Sequence, residues 1–256
     1  TSGIKNIDYY ITHGIEPSKS DFYYTETLKR FRRLPFNFTI PKIDETKVTM
    51  KNEINISSNF YMGLIQSLVK LHPSYDIILE SLLSSIKNSY LVIVTDKSSY
   101  QYKLIKDRWS KRNKLLLEKS IFIDKMETDN FLHITRSCDI MLEPFYFGGG
   151  VTFYESMAFG IPFVTYPENQ KVRIASAGYK QMKIKNPPIA KSPEDYINWC
   201  KLYSKDKLLL DSTKKELREK AEKYLFNDNK IYEDYYNFFK DAVKNAPLMD
   251  WKTKTH

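Results

Sequence analysis

Six short apolar runs alternate along this chain with longer segments of helical period: Asp8 to Thr12, Phe60 to Leu64, Tyr90 to Thr95, Ser120 to Ile123, Cys138 to Leu142 and Pro162 to Tyr166. Runs of that length and composition read as strands, and their alternation with helices is the pattern of a parallel sheet. The expected fold class is α/β, a doubly wound unit with helices on both faces. Pro73 fits the first turn of one helix, where its missing N–H costs nothing, and Tyr75, Ile78, Leu79, Leu82 and Leu83 follow at helical spacing. Further helices are expected through Tyr102 to Lys111, Asp129 to Arg136, Thr152 to Phe159 and Val172 to Met182. Another opens at Ser192, with Asp195 three residues on as a capping box.

The two ends of the chain differ from this regular middle. Residues 1 to 43 offer one strand, an expected helix near Tyr24 to Arg32 and an extended run from Leu34 to Ile40, too little to enclose a core. The polar segment Pro41 to Lys51 reads as a linker into the complete domain. Beyond Asp206 the chain becomes helical and charged and ends in an aromatic stripe, Tyr232, Tyr235, Tyr236, Phe238 and Phe239, expected to pack a terminal helix on the body.

Charge and composition narrow the partners. Forty bases are interspersed with 31 acids, giving +9 overall without a basic patch carrying interleaved aromatics, so nucleic acid is not an expected partner. No run of about 18 uncharged apolar residues argues for a membrane span, and no leader pattern stands in the first thirty residues. Cys138 and Cys200 are the only cysteines and lie 62 positions apart, far from any metal-ligand spacing. A cytoplasmic protein without a metal or cofactor is therefore expected.

Two segments carry chemistry. In LEPFYFGGGVTFYESMAFGIPFVT, Leu142 to Thr165, a strand ends in Gly148, Gly149 and Gly150 and a helix begins directly afterwards. Glycines let backbone approach a ligand, and the helix start offers amides to an anion, so the segment outlines a diphosphate cradle. The other reading is a flexible loop in which Thr152 and Glu155 form a capping box. In QSLVKLHP, Gln66 to Pro73, Lys70 follows a strand's carboxyl end, where open α/β sheets bind ligands. Lys70 is either a phosphate ligand or one more solvated lysine, and His72 reads as a residue placed ahead of the helix.

Taken together, TSG near the start with IDYYIT, QSLVKLHP, ETDNFL before CDIML, and FGGGVTFYESMAFGIPFVT resemble the O-GlcNAc transferase and SPINDLY glycosyltransferases, especially the bacterial members. The resemblance runs from Thr1 to about Val243. It implies a two-lobed GT-B architecture: residues 1–43 would end the first lobe, and residues 44–256 would form the Rossmann-like nucleotide-sugar-binding lobe with its terminal helices. It implies that Lys70 meets the donor diphosphate, aided by Gln66 and Ser67, and that Gly148, Gly149, Gly150, Val151 and Thr152 hold the phosphates. Glu155 would accept from the ribose hydroxyls, Phe131 would stack on the base, and Thr128 lies nearby at a position often lysine. The pattern departs from the animal enzymes, which carry histidine at Gly150 and threonine at Val151.

The resemblance further implies metal-free, inverting transfer from a nucleotide sugar, a UDP-sugar foremost, to a protein side chain. Partners would be an upstream first lobe and a helical repeat array. No Asp-x-Asp occurs, so the metal-clamped diphosphate of the other main glycosyltransferase architecture lacks ligands here. Two other function classes stand beside this one. A non-catalytic nucleotide-sugar-binding fragment or partner is the first, and a dinucleotide-dependent oxidoreductase the second. The oxidoreductase would need its glycine fingerprint after the first strand, whereas the triplet here follows a late one.

Overall fold

The computed structural model describes residues 1–44, 59–170 and 173–245. Strands β1 (Tyr9–His13) and β2 (Thr27–Phe31) pair in parallel as a two-stranded sheet. Strands β3 (Phe60–Gly63), β4 (Ser89–Thr95), β5 (Ser120–Asp124), β6 (Ile140–Leu142) and β7 (Phe163–Val164) form a second, wholly parallel sheet in the order β5-β4-β3-β6-β7. The expected α/β doubly wound class is the one observed.

Side-chain alternation sorts these strands onto two cores. Met62, Leu91, Ile93, Ile140, Leu142 and Val164 point into one cluster, with Leu79 of α1 (Pro73–Ser85), Trp109 of α2 (Tyr100–Arg112), Leu116 of α3 (Lys114–Glu118) and Tyr196 of α7 (Pro193–Lys205). Tyr61, Val92, Met141 and Phe163 point the other way. They meet Ile134 of α4 (Thr128–Ser137), Phe153 and Met157 of α5 (Val151–Ala158), Tyr179 of α6 (Ile174–Gln181) and Leu217 of α8 (Lys207–Tyr224). Strands buried on both faces must be apolar at nearly every position, which is why they read as runs rather than as alternating patterns.

Helix starts follow local chemistry. The His72 ring nitrogen accepts from the Ser74 amide at 3.2 Å, with Pro73 behind it, and Ser99 accepts from the Tyr102 amide. Ser192 accepts from the Asp195 amide, while the Asp195 carboxylate takes the Lys191 amide, one residue before the position a strict capping box would use. Caps of this kind contribute about 0.5–2 kcal/mol each. The segment Glu45 to Lys51 of the expected linker, and Val172 of the expected sixth helix, lie outside the described residues.

Two expectations are corrected. Tyr24 to Arg32 is not a helix: Thr27 to Phe31 pairs residue for residue with β1, and its burial alternates until Phe31 is enclosed. Pairing with a strand 18 positions earlier overrode the local pattern, as tertiary context commonly does. The terminal helix α9 (Lys230–Asn245) forms, but its aromatic stripe is only half core. Tyr235 and Phe238 set their rings against Phe31, and Phe238 also meets Tyr9 at 5.3 Å. Tyr232, Tyr236 and Phe239 stay more than half exposed.

A short strap, Arg33 to Phe38, fastens the first segment to the rest. Leu34 enters the second core, Arg33 pairs with Asp228 at 2.5 Å, and Phe38 bridges to Phe226. His13, at the end of β1, is 2% exposed, and neither ring nitrogen has a hydrogen-bond partner among the described residues. Burial, with the Arg173 charge beside it, holds its pKa down to about 4. The native state thus resists a proton that the unfolded chain accepts below about pH 6.5. The expected outcome is a stability contribution present above pH 6.5 that is lost as pH falls toward 4, by up to about 3 kcal/mol. Denaturant titrations of the parent and of His13→Leu across that range check it, since the variant should lack this part of the slope.

Candidate functional site

Strand order reverses between β3 and β6, because the chain proceeds from β3 outward to β4 and β5 and then returns to the other side of β3. At such a point the two flanking connections diverge to opposite faces and leave a crevice beyond the strands' carboxyl ends. Both segments singled out in the sequence sit there: Ile65 to Lys70 leaves β3, and Glu143 to Gly150 leaves β6.

Lys70 ties the two together. A single turn, Leu68–Lys70, with Leu68 buried beneath it, presents the side chain across the crevice. Its Nζ donates to Gln66 Oε1 at 2.8 Å and to the Gly148 carbonyl at 3.0 Å, and stands 4.7 Å from the Phe147 ring centroid. Burial pushes the Lys70 pKa down, while the negative charge of Glu143 pulls it back up. Gln66 is 6% exposed, and its Nε2 has no partner among the described residues.

Glu143 is the member of this site that sequence reasoning missed. It follows the wholly buried Ile140–Leu142 run and is itself completely buried, with Oε1 accepting from the Gly149 amide at 2.7 Å. Burial raises its pKa; Thr165, Gln170, the Gly149 amide and Lys70 oppose that rise. An acid directly after an uninterrupted apolar strand was the available signal, since such a group needs donors to be tolerated inside.

The three glycines are not equivalent. A side chain at Gly148 would stand 2.5 Å from Glu143 Oε1, and one at Gly149 would stand 2.6 Å from the Phe163 ring, whereas Gly150 faces open space. Two of the three are therefore required by packing, and the third caps α5. The capping box of Thr152 and Glu155, the alternative reading of this segment, does not form: α5 starts at Val151 and no side chain caps it. Amides in the first turn of a helix have no intrahelical acceptor, so those of Val151 and Thr152 point out of the helix start with its partial positive charge.

Gln66, Ser67, Lys70, Phe131 and Thr152 line one cleft of about 760 Å³, together with Thr95, Asp96, Lys125 and Met126. That volume suits a nucleotide-sized ligand. Gly148 and Gly149 reach the cleft indirectly, through Lys70 and Glu143, and Gly150 and Val151 form the helix entry without lining it. Thr128 is exposed at the first position of α4 and does not line the cleft; Lys125, three residues earlier, does. Glu155 is half-buried one turn into α5, away from the lining, with its pKa raised by burial. Among the described residues no three His, Cys, Asp or Glu side chains are grouped to hold a metal ion, and no helix is long and apolar enough to cross a membrane.

A parallel five-stranded sheet flanked by helices, with its crevice at the order reversal, is the architecture of a lobe of the GT-B glycosyltransferases, and the chain's structural neighbours are enzymes of that fold. An O-GlcNAc transferase mutant from Thermobaculum terrenum superposes with a TM-score of 0.77 over 94% of this chain and 46% of its own, at 20% identity. Sucrose-phosphate synthase from Thermosynechococcus elongatus gives 0.63 over 93% and 59%, at 14% identity. Anabaena HepE, solved with UDP and glucose, gives 0.62 over 90% and 62%, also at 14% identity. The chain thus spans about half to three-fifths of the length of these structures. No protein-family model and no curated protein matches the sequence.

Removing the Glu143 carboxylate should loosen the glycine loop without dismantling the sheet. Glu143→Ala leaves the Gly149 amide buried without its acceptor, an expected loss of about 1–3 kcal/mol beyond any cavity effect. Denaturant unfolding measures it, and Glu143→Gln, which keeps an acceptor at that position, should recover part of the loss.

Proposed function

We propose that this chain is the donor-binding part of a glycosyltransferase of the O-GlcNAc transferase and SPINDLY type. It moves a sugar, GlcNAc foremost, from a UDP donor to a protein side chain, with inversion and without a metal ion. The observation that carries the reading is the Lys70 ammonium, bonded at once to the loop after β3 and to the glycine loop after β6, at the mouth of a nucleotide-sized cleft. UDP in the Anabaena HepE structure and the O-GlcNAc transferase likeness support the choice of donor.

The chemistry follows from the charges. As the glycosidic bond breaks, negative charge grows on the departing diphosphate and must be met where it appears. Lys70 now spends its donors on Gln66 and Gly148, both of which a diphosphate oxygen can replace. Its partial burial strengthens the attraction, because the surroundings screen the charge less than water does. The free Nε2 of Gln66 and the amides that open α5 supply uncharged donors to the same group. Phe131, in the same lining, offers a ring to the base.

In this reading residues 1–43 are the end of a first lobe, and the acceptor enters from the side that lobe completes. Cys138 and Cys200 are buried and form no disulfide, which fits a cytoplasmic setting.

Calorimetric titration tests the proposal. UDP should bind the chain, GDP more weakly, and a chelator should leave UDP binding unchanged. Abolition of binding by the chelator, with recovery in magnesium, would overturn the metal-free reading. Lys70→Ala should weaken UDP at least tenfold; since it also removes two hydrogen bonds, about 1–2 kcal/mol of stability should go with it. Phe131→Ala should weaken UDP by roughly 1–3 kcal/mol, as loss of a base–aromatic stack does, and unchanged affinity in a folded variant would return Phe131 to a packing role.

A further inference from the structure

A second cavity of about 640 Å³ opens where the end of β1 meets the carboxyl ends of α6 and α8, and it shares no lining residue with the Lys70 cleft. Six cations line it: Arg32, Arg33, Lys180, Lys183, Lys223 and Lys230. The single carboxylate in its wall, Asp228, is taken up by Arg33, which Asp234 also approaches at 3.4 Å. Arg32, Lys180, Lys183, Lys223 and Lys230 have no ion pair among the described residues.

Two of these charges are held in place rather than free to spread. Lys183 and Lys223 each set their ammonium against the ring of Tyr224, at 5.3 and 5.2 Å from its centroid. Lys183 adopts a left-handed backbone, with φ at 57°, a conformation unusual for a residue with a long side chain, and its carbonyl is fixed by Lys220 Nζ at 2.7 Å. In the wall beside them lies His13, whose two ring nitrogens lack any partner among the described residues although the side chain is 2% exposed. A buried polar ring with nothing to bond calls for an explanation in a folded protein.

We propose that this cavity binds a soluble ligand carrying two or more phosphate groups, separate from the donor in the cleft. Such an anion meets the unneutralised cations on its rim and supplies an acceptor for an imidazole N–H at its base. Monovalent anions would leave most of the positive charge unmatched, so the number of phosphates sets the preference. The site couples the β1–β2 segment to the five-stranded lobe, because Arg32, Arg33 and His13 come from one and the lysines from the other.

The probe is inorganic pyrophosphate, titrated into the whole chain and followed by calorimetry and by the imidazole NMR signals of His13. Lys70→Ala weakens the cleft as a competing diphosphate site, and in that background pyrophosphate should still bind and should move the His13 signals. Adding Lys183→Ala and Lys223→Ala should weaken that binding at least tenfold and leave the His13 signals in place, with Arg32→Ala giving a smaller loss. All four positions are at least partly exposed, so the variants should remain folded. Affinity should also fall steeply as salt is raised. Loss of all pyrophosphate binding on Lys70→Ala alone, or binding within twofold of the parent after removal of both lysines, would overturn the proposal. Vesicles carrying phosphatidate separate the sources: vesicle binding that depends on the two lysines, without binding of free pyrophosphate, would assign the cavity to a lipid headgroup and overturn the soluble ligand.

Discussion

Every neighbouring pair of strands in the large sheet runs parallel, so each connection must cross the full height of the sheet over one face or the other. The hand of these crossovers is fixed by strand twist. With the order β5-β4-β3-β6-β7, the chain must wind outward one way from β3 and the other way from β6. The two loops at that point have nowhere to go but apart, and they leave a gap beyond the carboxyl ends of β3 and β6. The cleft is thus a consequence of topology, and the side chains that occupy it have been fitted to a gap that parallel pairing creates.

What fills the gap is a balance of opposite charges in a partly dry place. Glu143, wholly buried, is raised by its surroundings and steadied by the Gly149 amide and by Lys70; Lys70 is lowered by burial and steadied by Glu143. Each favours the ionised form of the other without direct contact. The carboxylate sets the shape of the glycine loop, and the loop's Gly148 carbonyl in turn positions the ammonium. The loop is therefore held as much by an acid beneath it as by the freedom of its glycines, two of which are dictated by close packing on Glu143 and Phe163.

The first segment adds a different kind of constraint. A two-stranded parallel ribbon is too small to enclose a core of its own, and this one leans on α9 through Phe31, Tyr9, Tyr235 and Phe238. The strap from Arg33 to Phe38 ties it to the rest through the Arg33 ion pairs with Asp228 and Asp234, the buried Leu34 and the Phe38–Phe226 bridge. That arrangement brings basic residues from both sides around the second cavity, and it leaves the buried His13 between them.

The sequence by itself determined the fold class, the helices with proline or serine at their starts, and the two segments that meet in the cleft. These are local properties: a strand buried on both faces must be apolar throughout, and a cap is written within four residues of the helix it opens. The sequence also singled out Gln66, Ser67, Lys70, Phe131 and Thr152, which share one lining. Only the tertiary structure decided that Tyr24 to Arg32 contributes a strand, because its partner lies far back in the chain and pairing outweighs local preference. Only the tertiary structure revealed Glu143 as the support of the glycine loop, exposed half of the terminal aromatic stripe, and kept Thr128 and Glu155 out of the lining. Those outcomes depend on which surfaces come to face one another across the sheet, and burial of that kind is set by packing between distant segments rather than by the spacing of residues along the chain.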